Sequence, residues 1–530
     1  MHLLNKEIEG EDMLKKILII VSILIIVLIV VAVIGIKIIS PDQVKIQYKK
    51  EMISEHKREL DFSMYDLDAF SNRYMEMKSL VVEQSIEQLQ NSLLEGDFSC
   101  EELAKFYLYR IREYESYNTV IELNPYIIEE AIRLDEKIKN GEVDSLYGVM
   151  VLIKDNIADK SMHTSTGAYV LKDLTTDRDA HLVTQLKQQD ALILGKANLS
   201  EWSNFLSMPS SNGFSALGGQ TKNAYGLFDV GGSSSGSSSG ASLNLATVTI
   251  GSETSGSLIY PAGQNSVVAL KPTLGLISRD LIVPIAEAQD TAGVIGKSVR
   301  DVYTVFSNMI AFDEADEATS IVTELSTEDQ FGQSTVKRIG VVNSGSKEMK
   351  DIILEFQGFG IEVVDVKLGD QNGIDMMSVL EYGIVHDVED FLMNEAVNST
   401  FNTLEEIVEF NNNNKSAIPY NQYLLESALK SEKTKSEIES IILKNQSISR
   451  DVIDGAMEQY NVQILLSISN ELSGVYAPAG YPAVTIPAGY RENGEPYGIT
   501  LVGSYLSDIE LLEMALLYEN ETKHRRLPNR

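Results

Sequence analysis

Ten consecutive residues at 231–240 read GGSSSGSSSG, and they restrict the fold more than any other stretch of this chain. By composition alone such a run is a flexible linker. Its position opposes that reading. It lies between two apolar, strand-like runs, 191–194 and 245–250, rather than between two domains. Glycine at such a place serves where backbone must approach backbone, or a substrate, closely. The choice between the two readings depends on whether the rest of the chain supplies partners for the hydroxyls.

The N-terminal region differs in character from the remainder of the chain. Residues 17–36 form an apolar run broken only by Ser22 and Gly35, long enough at about 1.5 Å per residue to cross a hydrocarbon layer. Neither a small-x-small cleavage site nor a cysteine for lipid attachment comes after it, so 17–39 is expected to be an uncleaved transmembrane signal anchor behind a tail of residues 1–16. Lys6, Lys15 and Lys16 precede the run and Lys37, Lys45, Lys49 and Lys50 come after it, a count that favours a cytoplasmic body. Long domains translocate largely regardless of charge, however, and Lys15 and Lys16 abut the apolar core as in a signal sequence. The expectation adopted is a single-pass protein of the cell membrane with its body outside the cytoplasm. Residues 9–12 are compatible with a purine-rich, ribosome-binding-like coding stretch, which places a candidate start at Met13.

Residues 40–80 are charged and helix-compatible and read as a spacer off the membrane. From residue 81 the pattern becomes regular. Ser99 and Glu102 form a capping box that opens a helix with apolar positions at Leu103, Phe106, Tyr107 and Ile111. Apolar runs of strand length occur at 148–153, 266–270, 464–468, 483–489 and 497–503, with helical patterns between them. Helices alternating with buried strands predict an α/β domain over 81–527, with a mixed central sheet covered by helices. Residues 330–460 are more polar and read as a helical insertion or cap on the same domain.

Composition narrows the function. A formal charge of −33 argues against nucleic acid as a partner, since phosphate binding needs a basic face. One cysteine, Cys100, excludes an internal disulfide framework and a cysteine-based zinc cluster, and its helical position marks it as buried filler. The six histidines are scattered without metal-ligand spacing, so no metal or other cofactor is expected. Nothing in the pattern indicates an oligomeric state.

Three residues then stand out. Lys154 ends the run at 148–153; such a lysine is either solvated or, if drawn into a polar pocket, stripped of its charge by desolvation and able to act as a base. Ser233 lies in the Gly/Ser stretch and Ser257 in a second Gly/Ser turn. A serine hydroxyl needs a neighbour to accept its proton, and no histidine lies near these motifs. A lysine acting through a second serine is the sensible alternative. The backbone N–H groups of Thr254, Ser255, Gly256 and Ser257 would then converge on a developing oxyanion.

These blocks resemble the amidase signature family of serine hydrolases. The similarity runs from about residue 81 to about 527 and includes LNPYIIEEAIRLDEKIKNG (123–141), YGVMVLIKDNIA (147–158), DALILGKANLSEW (190–202), GGSSSGSSSGAS (231–242), IGSETSGSLIYPA (250–262), LKPTLGLISRD (270–280) and YAPAGYPAVTIPAG (476–489). The resemblance implies that Lys154 is the base, that Ser233 sits on a cis peptide bond and relays the proton, and that Ser257 is the nucleophile. It also implies an oxyanion hole from the backbone N–H groups of residues 254–257, with Ser234 supporting the network. Met150 replaces a usual proline, and Glu253, Ser255 and Ile259 depart from the common Asp, Gly and Arg of the nucleophile turn. The SETSGS form is most similar to the branch containing bacterial peptide amidases. The implied activity is hydrolysis of carboxamides, with C-terminal peptide amides as one substrate class and a small-molecule or peptide amide as the partner. Two rivals accompany it: a glutaminase subunit resembling the A chain of glutamyl-tRNA amidotransferase, and a non-catalytic envelope binding protein.

Overall fold

The computed structural model describes residues 54–324 and 331–528. The tail at 1–16, the apolar run at 17–39 and the start of the spacer lie outside them. Among the described residues no helix is long and apolar enough to cross a membrane.

The described residues build thirteen strands: β1 (Val120–Leu123), β2 (Met150–Lys154), β3 (Leu192–Ala197), β4 (Phe214–Ser215), β5 (Gly219–Gln220), β6 (Val248–Glu253), β7 (Val268–Lys271), β8 (Thr291–Gly296), β9 (Arg338–Val341), β10 (Glu362–Asp365), β11 (Ile464–Ile468), β12 (Ala483–Tyr490) and β13 (Pro496–Val502). Eleven form one sheet in the order β1-β3-β2-β6-β8-β7-β12-β13-β11-β9-β10, and β4 and β5 form a separate hairpin. The sheet is mixed. β2 runs parallel to both β3 and β6, and β9 parallel to both β10 and β11; the remaining pairs are antiparallel. Every residue of β2, β3, β6, β7 and β8 is buried, as near-continuous apolar runs require when both faces of a sheet are covered by helices.

Strand alternation divides the core. Val151 and Ile153 of β2 enter the larger apolar cluster, with Ile193 and Ile250, while Met150 and Leu152 enter the second, with Leu192 and Leu194. The second cluster also receives the helix Cys100–Glu113, whose Ser99 hydroxyl accepts from Glu102 N while the Glu102 carboxylate accepts from Ser99 N. Cys100 is fully buried there, and burial pushes its thiol well above the usual range.

Two readings of the sequence need correction. Of the spacer assigned to 40–80, the described part belongs to the core. Tyr65, Leu67, Phe70, Tyr74 and Met77 are buried, the last two on the helix Ser71–Val81, and they pack in one cluster with Leu103, Phe106 and Tyr107. Charged residues on the outer faces hide this pattern: Arg73 bonds Glu102, and Arg112 bonds Asp68. The region 330–460 is also more than a helical cap. Its described residues carry five α-helices, Lys347–Gly358, Met376–Asn394, Leu404–Asn413, Tyr423–Ala428 and Lys435–Tyr460, but its β9 and β10 extend the central sheet. β10 is an edge strand four residues long with Glu362 and Asp365 exposed, a charged and short form that discourages pairing with other chains and also disguises the strand in sequence.

Candidate active site

Side chains alternate along β2, so Lys154 shares a face with Met150 and Leu152. On that face lies the helix Ser235–Ser242, which is the Gly/Ser stretch itself. A Cβ placed on Gly236 would meet Asn198 O at 2.4 Å and Thr119 O at 2.5 Å, so glycine is what lets this helix press against neighbouring backbone. Its serines replace bulk with hydrogen bonds. Ser235 Oγ donates to Gly231 O at 2.6 Å, Ser237 Oγ to Ile250 O at 3.1 Å, and Ser239 Oγ to Lys222 O at 2.7 Å. The linker reading therefore fails because every residue from Ser235 to Ser242 is buried.

β2 and β6 run parallel with Ile153 opposite Ile250, so the C-terminal ends of both strands lie at the same end of the sheet. Lys154 emerges there completely buried. Its Nζ donates to Ser233 Oγ at 2.7 Å, to Ser252 Oγ at 2.9 Å and to Ser252 O at 3.0 Å. Among the described residues no carboxylate pairs with it. Burial lowers its pKa from the ordinary lysine value to about 7, opposed by the negative charges of Asp290 and Glu253. The Gly232–Ser233 peptide is cis. Ser233 O accepts from Ser200 N at 3.0 Å and from Ser235 N at 2.8 Å.

The turn bearing Ser257 leaves β6 directly beside this lysine. Ser234 N donates to Ser257 O at 3.1 Å, and Ser234 Oγ donates to Ser252 O at 3.0 Å, so Ser234 ties the stretch both to the turn and to the strand before it. Gly256 has φ +80°, the left-handed conformation that favours glycine. Among the described residues the N–H groups of Thr254, Ser255, Gly256 and Ser257 have no protein acceptor. Ser257 itself is 8% exposed.

Glu253, one of the departures from the common pattern, supports this turn. Its Oε2 accepts from Leu258 N at 2.7 Å and Ile259 N at 3.1 Å, and its Oε1 accepts the Tyr476 hydroxyl at 2.8 Å. Asp290 does the same from the other side. Its Oδ1 accepts the Thr254 hydroxyl and its Oδ2 accepts from Ile285 N at 2.8 Å and Ala286 N at 2.9 Å, while burial raises its pKa to about 6. A narrow cleft borders the cluster, lined among others by Asn156, Ser252, Thr254, Arg279, Val283 and Asp290.

The structure thus brings together Lys154, Ser233, Ser234, Ser257 and the turn at 254–257. Sequence reasoning missed Ser252, Asn156, Asp290 and Tyr476. Ser252, Asn156 and Tyr476 lie inside the similar blocks and carried no separate signal; Asp290 was legible only as an acid immediately before the apolar β8. Among the described residues no group of histidine, cysteine and acidic side chains is arranged to hold a metal ion.

The family model described as Amidase matches residues 102–471. A probable amidase of Arabidopsis thaliana is 32% identical over 472 residues, covering 84% of this chain and 92% of that protein. The crystal structure of an amidase family protein from Bacillus anthracis superposes with a TM-score of 0.84 at 35% identity, over 89% of this chain and 100% of that chain. Native peptide amidase from Stenotrophomonas maltophilia superposes with a TM-score of 0.79 at 32% identity, over 84% of this chain and 99% of that chain. With the family model spanning most of the chain, the protein belongs to the amidase family and is a hydrolase of carbon–nitrogen amide bonds.

Proposed function

We propose that the protein hydrolyses carboxamides, with C-terminal peptide amides as its substrate class, through Ser257 as nucleophile, Ser233 as proton relay and Lys154 as base. The observation that carries this reading is the 2.7 Å hydrogen bond between the fully buried Lys154 Nζ and Ser233 Oγ. A lysine with a pKa near 7 is neutral in a large fraction of molecules at neutral pH and is able to accept a proton. The structural likeness to peptide amidase supports the substrate class.

Neutral Lys154 takes the Ser233 proton as Ser233 takes that of Ser257, and Ser257 Oγ bonds to the amide carbon. The backbone N–H groups of Thr254, Ser255, Gly256 and Ser257 hold the resulting oxyanion. Collapse breaks the C–N bond, the relay returns the proton to the departing nitrogen, and ammonia leaves. Water then attacks the acyl ester by the same relay and releases the carboxylate.

The apolar run at 17–36 supports tethering of this activity to the cell membrane, and Lys15 and Lys16 abutting it as in a signal sequence support a catalytic body outside the cytoplasm. A C-terminal reporter active only outside the cytoplasm tests that side.

Ammonia release by the full-length protein in detergent, measured over peptide amides, glutamine and simple aliphatic amides, tests the substrate class. Release from peptide amides well above the others is expected. Preference for glutamine, appearing only with a co-purifying subunit, would favour the glutaminase reading instead.

A further inference from the structure

Asn156 lines the cleft and is 2% exposed, yet among the described residues its Oδ1 has no hydrogen-bond partner. Its Nδ2 donates to Ser252 Oγ at 3.0 Å and to Val283 O at 3.3 Å. A backbone carbonyl only accepts, so the Val283 contact fixes which end of the side-chain amide is nitrogen and which is oxygen. The oxygen is left as a buried acceptor without a donor, an arrangement that native structures keep rarely and at a cost. A bound molecule that offers an N–H removes that cost.

Resting on the hydrolytic reading above, we propose that Asn156 Oδ1 accepts a hydrogen bond from the scissile nitrogen of the substrate, and so selects amides that carry an N–H over the corresponding esters. The placement rests on Ser252 Oγ, which accepts from Lys154 Nζ at 2.9 Å and from Asn156 Nδ2 at 3.0 Å. One hydroxyl therefore separates Asn156 from the base. The base side is where the leaving nitrogen gains its proton, and a nitrogen gaining positive charge is a stronger donor than the ground-state amide. The bond to Asn156 Oδ1 accordingly strengthens as the C–N bond breaks, which is the condition for an interaction to raise the rate. An ester presents an oxygen lone pair at the same point and has nothing to donate.

The test compares kcat/KM of the full-length protein in detergent for a peptide C-terminal primary amide and for the methyl ester of the same peptide. In Asn156→Ala the amide-to-ester ratio is expected to fall by about tenfold or more, the size expected for one buried hydrogen-bond partner. A structural role alone, exercised through Ser252 or Val283, would lower both substrates together and leave the ratio where it was. That result overturns the inference. Asn156→Ser retains a small polar group at the buried position and gives the same readout should the alanine variant not fold. Wild-type protein that turns over neither substrate overturns the hydrolytic reading and this inference with it, whereas active wild type with an unmoved ratio overturns the inference alone.

Discussion

Asp290 accepts the Thr254 hydroxyl with one carboxylate oxygen and the Ile285 and Ala286 N–H groups with the other, so a single buried carboxylate joins the turn that carries Ser257 to the wall of the cleft. Asp290→Ala removes both acceptor oxygens and leaves the Thr254 hydroxyl and the Ile285 and Ala286 N–H groups without their partner. The expected result is a loss of roughly 1–3 kcal/mol in stability, measured by denaturant unfolding, from buried groups left unpaired. kcat is expected to fall about tenfold or more, with KM changing less, because the oxyanion donors lose their fixed positions. Wild-type kcat in this variant would show that the turn does not depend on Asp290.

The pH dependence is set by Lys154. Its pKa is held near 7 by burial, and the neutral form is the base. Activity is therefore expected to be low below pH 7, where the ammonium dominates, and to rise to a plateau above it, with a limb near pH 7 in kcat/KM. Asp290 opposes the downward shift through its negative charge, so Asp290→Asn is expected to move the limb to lower pH. Lys154→Arg is expected to abolish turnover at every pH, since guanidinium keeps its proton. A limb that stays put when Asp290 is neutralised would contradict this electrostatic assignment.

Gly256 provides a backbone test. It has φ +80°, and a Cβ there would sit 2.7 Å from Asn470 Nδ2. Gly256→Ala is expected to destabilise the protein by about 1–3 kcal/mol and to reduce kcat by at least about tenfold. Adding Asn470→Ala removes the 2.7 Å contact but leaves the Cβ of residue 470 at 3.2 Å and the left-handed strain, so partial recovery is expected. Full recovery would assign the whole effect to the collision with Asn470.

Residues 54–81 test the boundary of the folded body. Deleting residues 1–81 removes Tyr65, Leu67, Phe70, Tyr74, Met77 and Val81, which pack in one cluster with Leu103, Phe106 and Tyr107. A protein starting at residue 82 is expected to aggregate or to unfold at much lower denaturant, whereas one starting at residue 54 is expected to keep ammonia-releasing activity. Equal stability of the two would mean that this packing contributes little.

Much of the site was legible because its chemistry uses unusual residues in unusual places. A lysine ending an apolar strand and ten residues of Gly and Ser between strands both contradict ordinary roles, and similarity to known blocks then assigned parts to them. Ser252 was not legible, because a serine at the end of a strand has no signature until the lysine that bonds it is located. Asn156 and Asp290 depend likewise on contacts across 96 and 36 residues of chain. In the fold, β2, β3, β6 and β7 announced themselves as continuous apolar runs, whereas β8, equally buried, reads TAGVIG and did not. β9 and β10 did not, since RIGV and EVVD are short and flanked by charge. The helix Ser71–Val81 was hidden for a similar reason: only Tyr74, Met77 and Val81 of its residues are buried.

Every step of the proposed chemistry depends on attack by Ser257 on the substrate carbonyl. Labelling the full-length protein with a fluorophosphonate, then digesting it and mapping the adduct by mass spectrometry, examines that step itself. One adduct is expected, on the peptide containing Ser257, lost in Ser257→Ala together with ammonia release, and strongly slowed in Lys154→Ala. An adduct on another serine, or robust ammonia release by Ser257→Ala, would contradict the assignment of Ser257 as nucleophile.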